Sequence, residues 1–268
     1  MSVTESKSEV FTIAAGPDTG EAHAEKGDLR KLKKRRAAVF EQYVQPCAAE
    51  LLGSCLFVFV GCASVMGSAG LEGSVQPAVA HGLALAALIS AFGEISGGHL
   101  NPAVSLSVYL CGGMELGLLG PYVLAQMSGG MIGASLAKAV YPKPQFILSS
   151  GGAFTAVRSS HALGGATVAE VMMTLFLSTV VCMAAVNSRT RSKLAPFCIG
   201  LTVTAGILAS GPVSGGCMNP VRAFGPAVVA NHWDHHWIYW VGPVCGALLA
   251  VSLIRLLFGD QKTRVVLK

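Results

Sequence analysis

Apolar residues in this chain run in long uninterrupted blocks rather than in the alternation of a strand or the one-sided stripe of a soluble helix. Six blocks reach about 20 residues, the length needed to cross a bilayer core at 1.5 Å per residue. They predict transmembrane helices over Pro46–Gly67, Gln76–Ile95, Leu116–Val140, Thr167–Val186, Ala195–Ser210 and His236–Phe258. Two further segments, Asn101–Leu110 and Asn219–Ala230, are apolar but too short to cross. Each spans about half of a bilayer core and is read as a half-helix. Both begin with Asn-Pro, where Asn caps a helix and Pro fits its first position without losing a hydrogen bond. A helix start inside a membrane leaves backbone polar groups unpaired, which is tolerated only where they line a watery cavity or are buried in protein. Two such starts point to a pore.

The short segments belong to a repeat. Ser96-Gly97-Gly98-His99-Leu100-Asn101-Pro102-Ala103 returns 118 positions later as Ser214-Gly215-Gly216-Cys217-Met218-Asn219-Pro220-Val221. Ala49-Glu50-Leu51 opens the first span and Ala169-Glu170-Val171 the fourth. Three spans per half is an odd number, so the halves have opposite orientation and form an inverted repeat. The channel unit is expected over residues 46–258, with repeat one at 46–140 and repeat two at 166–258. Residues 1–45, mostly polar, read as a disordered tail, and 259–268 as a short second tail.

Composition sharpens this picture. Of 268 residues 52% are hydrophobic and 12% charged, against about 25% charged in an average soluble domain. The net charge of +5 is explained by where the charges fall rather than by a nucleic-acid partner. Of the 19 basic residues, eight lie in the first tail. Three more (Arg189, Arg191, Lys193) lie between spans four and five, and four (Arg255, Lys262, Arg264, Lys268) at the carboxyl end. Lys138, Lys143 and Arg158 belong to the opposite side, and Arg222 to the second half-helix. The positive-inside rule then puts both termini in the cytosol. The eight cysteines show no metal or disulfide spacing. No cleavable signal segment is visible, and the run Arg30–Arg36 reads as a topology determinant. Small residues at helix-contact spacing mark Gly113/Gly117, Gly129/Gly133 and Gly242/Gly246 as places of close approach, either within the monomer or between subunits.

Two acids inside the membrane need an explanation. Glu50 and Glu170 are read as acceptors for the N–H groups of the re-entrant loops, in preference to a proton relay.

On these residues the chain resembles the aquaporin (major intrinsic protein) family across residues 46–258. The resemblance implies an all-α membrane fold of six spans plus two re-entrant half-helices, assembled as a homotetramer in the bilayer. It implies a passive channel for water and small neutral solutes, including ammonia and hydrogen peroxide, that excludes ions and protons. No enzyme activity, metal, cofactor or nucleic-acid partner is implied, and the plasma membrane is the expected location, with an intracellular or mitochondrial membrane as the alternative. Asn101, Pro102, Ala103 and Asn219, Pro220, Val221 would form the pore midplane; Val221 departs from the Ala the family pattern predicts. Carried over by position, His81, Ile207, Gly216 and Arg222 form the selectivity constriction, with a titratable imidazole at His81. Carbonyls of Gly97, Gly98, His99, Ser214, Gly215 and Gly216 would form a row of acceptors, and Cys217 a mercurial site. Ala223 after Arg222, and the absence of an aromatic among the four constriction residues, argue against glycerol. The rival reading is a secondary transporter, which also uses broken helices in an inverted repeat but needs a coupling acid at its site. A metal site at His232, Asp234, His235 and His236 is the weaker rival to an interfacial aromatic belt there.

Overall fold

The computed structural model describes residues 20–71, 75–157 and 159–265. Arg158, Lys268 and the first nineteen residues, named above, lie outside the described residues. All regular structure among the described residues is helical. The chain divides into two compact units, one up to Gln42 and one from Tyr43 onward.

The first unit carries helix α1 (Gly20–Val39), over residues expected to lack regular structure. Ala, Glu, Lys, Arg and Leu dominate that stretch and are intrinsic helix formers. Its side chains from Arg30 to Val39 are exposed.

In the second unit the long helices are α2 (Gln45–Gly67), α3 (Val75–Ser96) and α5 (Leu116–Val140) in the first half. Their counterparts are α7 (Leu163–Val181), α8 (Ala195–Ser214) and α10 (Ile238–Leu253); α4 (Pro102–Leu110) and α9 (Pro220–Ala230) are the two short helices. A π-helical turn extends α7 to Val186 and another extends α10 to Phe258. One further helix, α6 (Lys143–Leu148), stands in the connection between the halves, where the sequence pattern gave no helix. Among the described residues five helices meet the length and apolarity needed to cross a membrane. Helix α5 is not among them: Gln126, Ser128 and five glycines dilute its hydropathy, although its 25 residues are long enough.

Packing repeats as the sequence does. Helix α2 lies on α5 as α7 lies on α10, α2 meets α3 as α7 meets α8, and α9 rests on α5 as α4 rests on α10. Helices α3 and α8 join the halves. Close approach explains several glycines. A Cβ on Gly129 or Gly133 would strike the carbonyls of Leu51 and Cys55, and one on Gly246 the carbonyl of Val171. A Cβ on Gly242 would strike the Glu170 side chain. These small residues therefore pack helices within one chain. A Cβ on Gly117 would meet nothing within this chain.

Candidate functional site

Each short helix starts at its Asn in extended backbone. Asn101 Oδ1 accepts from Ala103 N at 2.9 Å, and Asn219 Oδ1 from Val221 N at 3.0 Å. Both residues just before the caps, Leu100 and Met218, take positive φ (50° and 54°), as do the Gly pairs upstream. At Gly97 and Gly215, with φ of 86° and 95°, a side chain would be strained, so the twin Gly-Gly pairs are needed for the turn.

The two loops are tied to each other by their caps. Asn101 Nδ2 donates to Met218 O at 2.9 Å, and Asn219 Nδ2 donates to Leu100 O at 2.9 Å. One amide hydrogen of each Asn is thus spent on the opposite loop, leaving one for a solute.

Buried carboxylates hold each loop in place. Glu50 accepts four hydrogen bonds: Ser96 Oγ and His99 N on one oxygen, Leu100 N and Gln126 Nε2 on the other. Glu170 accepts from Ser214 Oγ, Cys217 N and Met218 N. Irregular backbone that lipid would not tolerate is satisfied in this way. Two tyrosines complete the pairing, Tyr122 Oη donating to Ser96 O and Tyr239 Oη to Ser214 O. The Ser214 carbonyl is therefore engaged by Tyr239 rather than standing in an open row of acceptors. In the first half Gln126 Nε2 also donates to Ser105 Oγ, and Ser105 meets His99 Nδ1 at 3.1 Å. The second half has Cys217 in place of His99, and its thiol donates to Asn219 O.

Cavities approach the crossed loops from two ends. One, of about 330 Å³, brings together His81, Ile207, Gly216 and Arg222, with Cys217, Phe57 and Phe154 in its wall. The other, of about 550 Å³, is lined by Gly97, Gly98 and His99, with Glu94, Arg191 and Lys193. In the first, Arg222 is fixed by three partners. Nε donates to His81 Nε2 at 2.7 Å, Nη1 donates to Gly152 O at 2.8 Å, and the guanidinium lies 4.7 Å from the Phe154 ring centre. His81 Nδ1 lies 2.6 Å from Pro77 O. The imidazole thus donates from Nδ1 and accepts at Nε2, the neutral tautomer, with no ring nitrogen open for a second proton. Gly216 sits where a Cβ would be 2.8 Å from Ile207 Cα, so only backbone fits at that wall.

Sequence reasoning did not find Gly152, Phe154 or Phe57. Phe57 stands edge-on to His81 with ring centres 5.6 Å apart. The cavity thus carries two aromatic rings although none of the four constriction positions is aromatic. Tyr122 and Tyr239 could have been found, since they stand 117 positions apart, close to the repeat offset. Val221 is fully buried, and its Cγ1 would lie 2.6 Å from a Cβ placed on Gly130 of α5. It packs sideways on that helix. Among the described residues no group of three His, Cys, Asp or Glu gathers as a metal site, and His236 Nε2 accepts from Trp240 Nε1.

Half-helices capped against each other, with a buried Arg beside the crossing, define a membrane channel protein. The family model described as Major intrinsic protein matches residues 38–254, and the chain belongs to that family. It is an integral membrane protein and a passive channel for water or small solutes, not an enzyme. It is 52% identical over 250 residues to Aquaporin-8 of Rattus norvegicus, covering 90% of this chain and 95% of that one. It is 54% identical to Aquaporin-8 of Mus musculus over 85% of this chain and 88% of the other. Aquaporin TIP1-2 of Musa acuminata is 37% identical over 82% of this chain and 89% of its own length. The fold also matches the X-ray structure of the aquaglyceroporin from Plasmodium falciparum, with TM-score 0.67 and 24% identity. That match covers 79% of this chain and 95% of that one.

Proposed function

We propose that this chain conducts water, ammonia and hydrogen peroxide through a pore between the two cavities, and that it rejects ions and protons. The reciprocal hydrogen bonds of Asn101 and Asn219 to the opposite loop carry this reading. They hold two helix N-termini face to face, each presenting roughly half a positive charge. A solute oxygen meeting the remaining amide hydrogens is oriented there, which breaks a continuous chain of proton transfer. Cations meet those two helix ends and then Arg222, whose charge His81 and Gly152 hold at the neck. Neutral molecules exchange hydration for carbonyls of Gly97, Gly98, His99, Gly215 and Gly216 at little cost.

A coupled transporter would need a titrating acid at the crossing. The oxygens of Glu50 and Glu170 are instead occupied by loop donors, which favours a passive pore. The channel unit is assigned to residues 46–258, as a homotetramer in the plasma membrane with both termini in the cytosol, following the distribution of Lys and Arg. Purified protein in proteoliposomes tests the cargo. Water, methylammonium and hydrogen peroxide should permeate well above empty vesicles, and glycerol should not. Glycerol flux matching that of water, or no rise in peroxide flux, would overturn the assignment.

A further inference from the structure

At the end of α4 furthest from the crossed loops, two cysteines from distant parts of the chain meet. Cys111 caps α4, its N–H donating to Ser107 O at 3.0 Å. Cys182 opens the π-helical turn that follows α7. They stand seventy-one positions apart, yet both are buried in one small cluster with Val251 and Ile254. Both thiols are free. A cation stands close by, since Arg255 Nη1 donates to Leu110 O, the residue before Cys111, at 3.0 Å; a neighbouring cation favours a thiolate in general.

We infer that Cys111 and Cys182 form an oxidisable dithiol that closes to a disulfide under peroxide and fastens the carboxyl end of the first half-helix to the fourth span. Access comes from the larger cavity. Val186 packs against the cysteine cluster and also lines that cavity with Val108 and Gly113, so one layer of side chains separates the thiols from it. A small neutral oxidant is suited to that path.

The chemistry closes without a further reagent. The thiolate of Cys111 attacks one oxygen of hydrogen peroxide, the O–O bond breaks, and the departing hydroxide takes the thiol proton to leave as water. Sulfur is now a sulfenic acid. The Cys182 sulfur attacks it, the S–S bond forms as the S–O bond breaks, and the second water carries away the remaining thiol proton. Two thiols are oxidised and one peroxide is reduced to two waters. This inference stands on the cysteine cluster and does not depend on which cargo the pore prefers.

The test uses full-length protein in proteoliposomes, treated with hydrogen peroxide, quenched in denaturant with an alkylating agent and digested without reductant. Mass spectrometry should find a Cys111–Cys182 linked peptide that dithiothreitol removes. In Cys111→Ser that peptide should vanish with no replacement disulfide at Cys182. Both cysteines remaining alkylated while exposed Cys245 is oxidised, or Cys182 pairing elsewhere, would overturn the assignment. The melting temperature of wild type should rise on oxidation and return on reduction, because the crosslink restricts the unfolded chain. A crosslink that leaves it unchanged or lower would refute the fastening of half-helix to span.

Discussion

Replacing Gly130 by Ala should destabilise this channel, and replacing Val221 by Ala should largely restore it. The new methyl would sit 2.6 Å from Val221 Cγ1 and 3.2 Å from Val221 O. The first distance is well inside van der Waals contact, and a β-branched side chain on a helix has little rotamer freedom with which to yield. Overpacking of this kind costs about 1–3 kcal/mol. Val221→Ala alone removes two methyls from a fully buried site. Lipid is as apolar as the protein interior, so the loss there is mainly packing, about 1–2 kcal/mol. The double variant relieves the closer clash and refills the gap, leaving only the 3.2 Å contact to backbone. Its loss should be smaller than the two single losses together by at least about 1 kcal/mol. Thermal unfolding of the purified proteins in detergent reads this, at about 2–4 °C per kcal/mol for a chain of this size. Water permeability in vesicles serves as the control for folding. Strictly additive losses, or a neutral Gly130→Ala, would refute the claim that Val221 and Gly130 are matched in size.

Arg222→Ala should admit cations or protons while water flux persists, because the fixed charge at the neck is lost and the helix ends remain; an electrically silent variant with normal membrane expression would contradict this. Mercurials should block flux reversibly in wild type and not in Cys217→Ser, since Cys217 lines the Arg222 cavity; unchanged block in the variant would refute that access. Asp260 accepts from the Ser188 amide and hydroxyl and from Lys262 N and Thr263 N, tying the carboxyl-terminal turn to the loop after span four. The Ser188 hydroxyl first, and then these amides, hold its carboxyl well below the ordinary value near 3.9. The tie therefore contributes fully above about pH 4 and is lost as pH falls below that value. Hydrogen exchange at Ser188 should be slow at pH 7 in wild type and faster in Asp260→Asn; equal rates would show that the carboxylate does not hold the loop.

Much of this architecture is visible in the chain because membrane helices and capped half-helices leave local signals. The spans at Leu116–Val140 and Gln76–Ile95 match the observed helices within a residue, and both Asn-Pro starts are helix caps. Glu50 and Glu170 could be read as loop supports because an ionisable group in a membrane requires partners. What escaped was set by tertiary contact alone. Gly152 and Phe154 reach Arg222 from an irregular connection with no period. Gln126 supports Glu50 without a counterpart in the other half. Neither the half-use of each Asn amide nor the seat of Val221 on Gly130 leaves a trace in residue spacing, since both depend on how two distant segments meet.

The proposed passive pore carries neutral molecules and stops charge, and one vesicle measurement addresses both properties directly. Osmotic water flux and luminal pH would be followed together in proteoliposomes of wild-type protein under an osmotic gradient and an imposed proton gradient. Water flux should rise linearly with the osmotic gradient and change little with temperature, while luminal pH drifts only at the rate of empty vesicles. Saturating water flux, or protein-dependent collapse of the proton gradient, would contradict it.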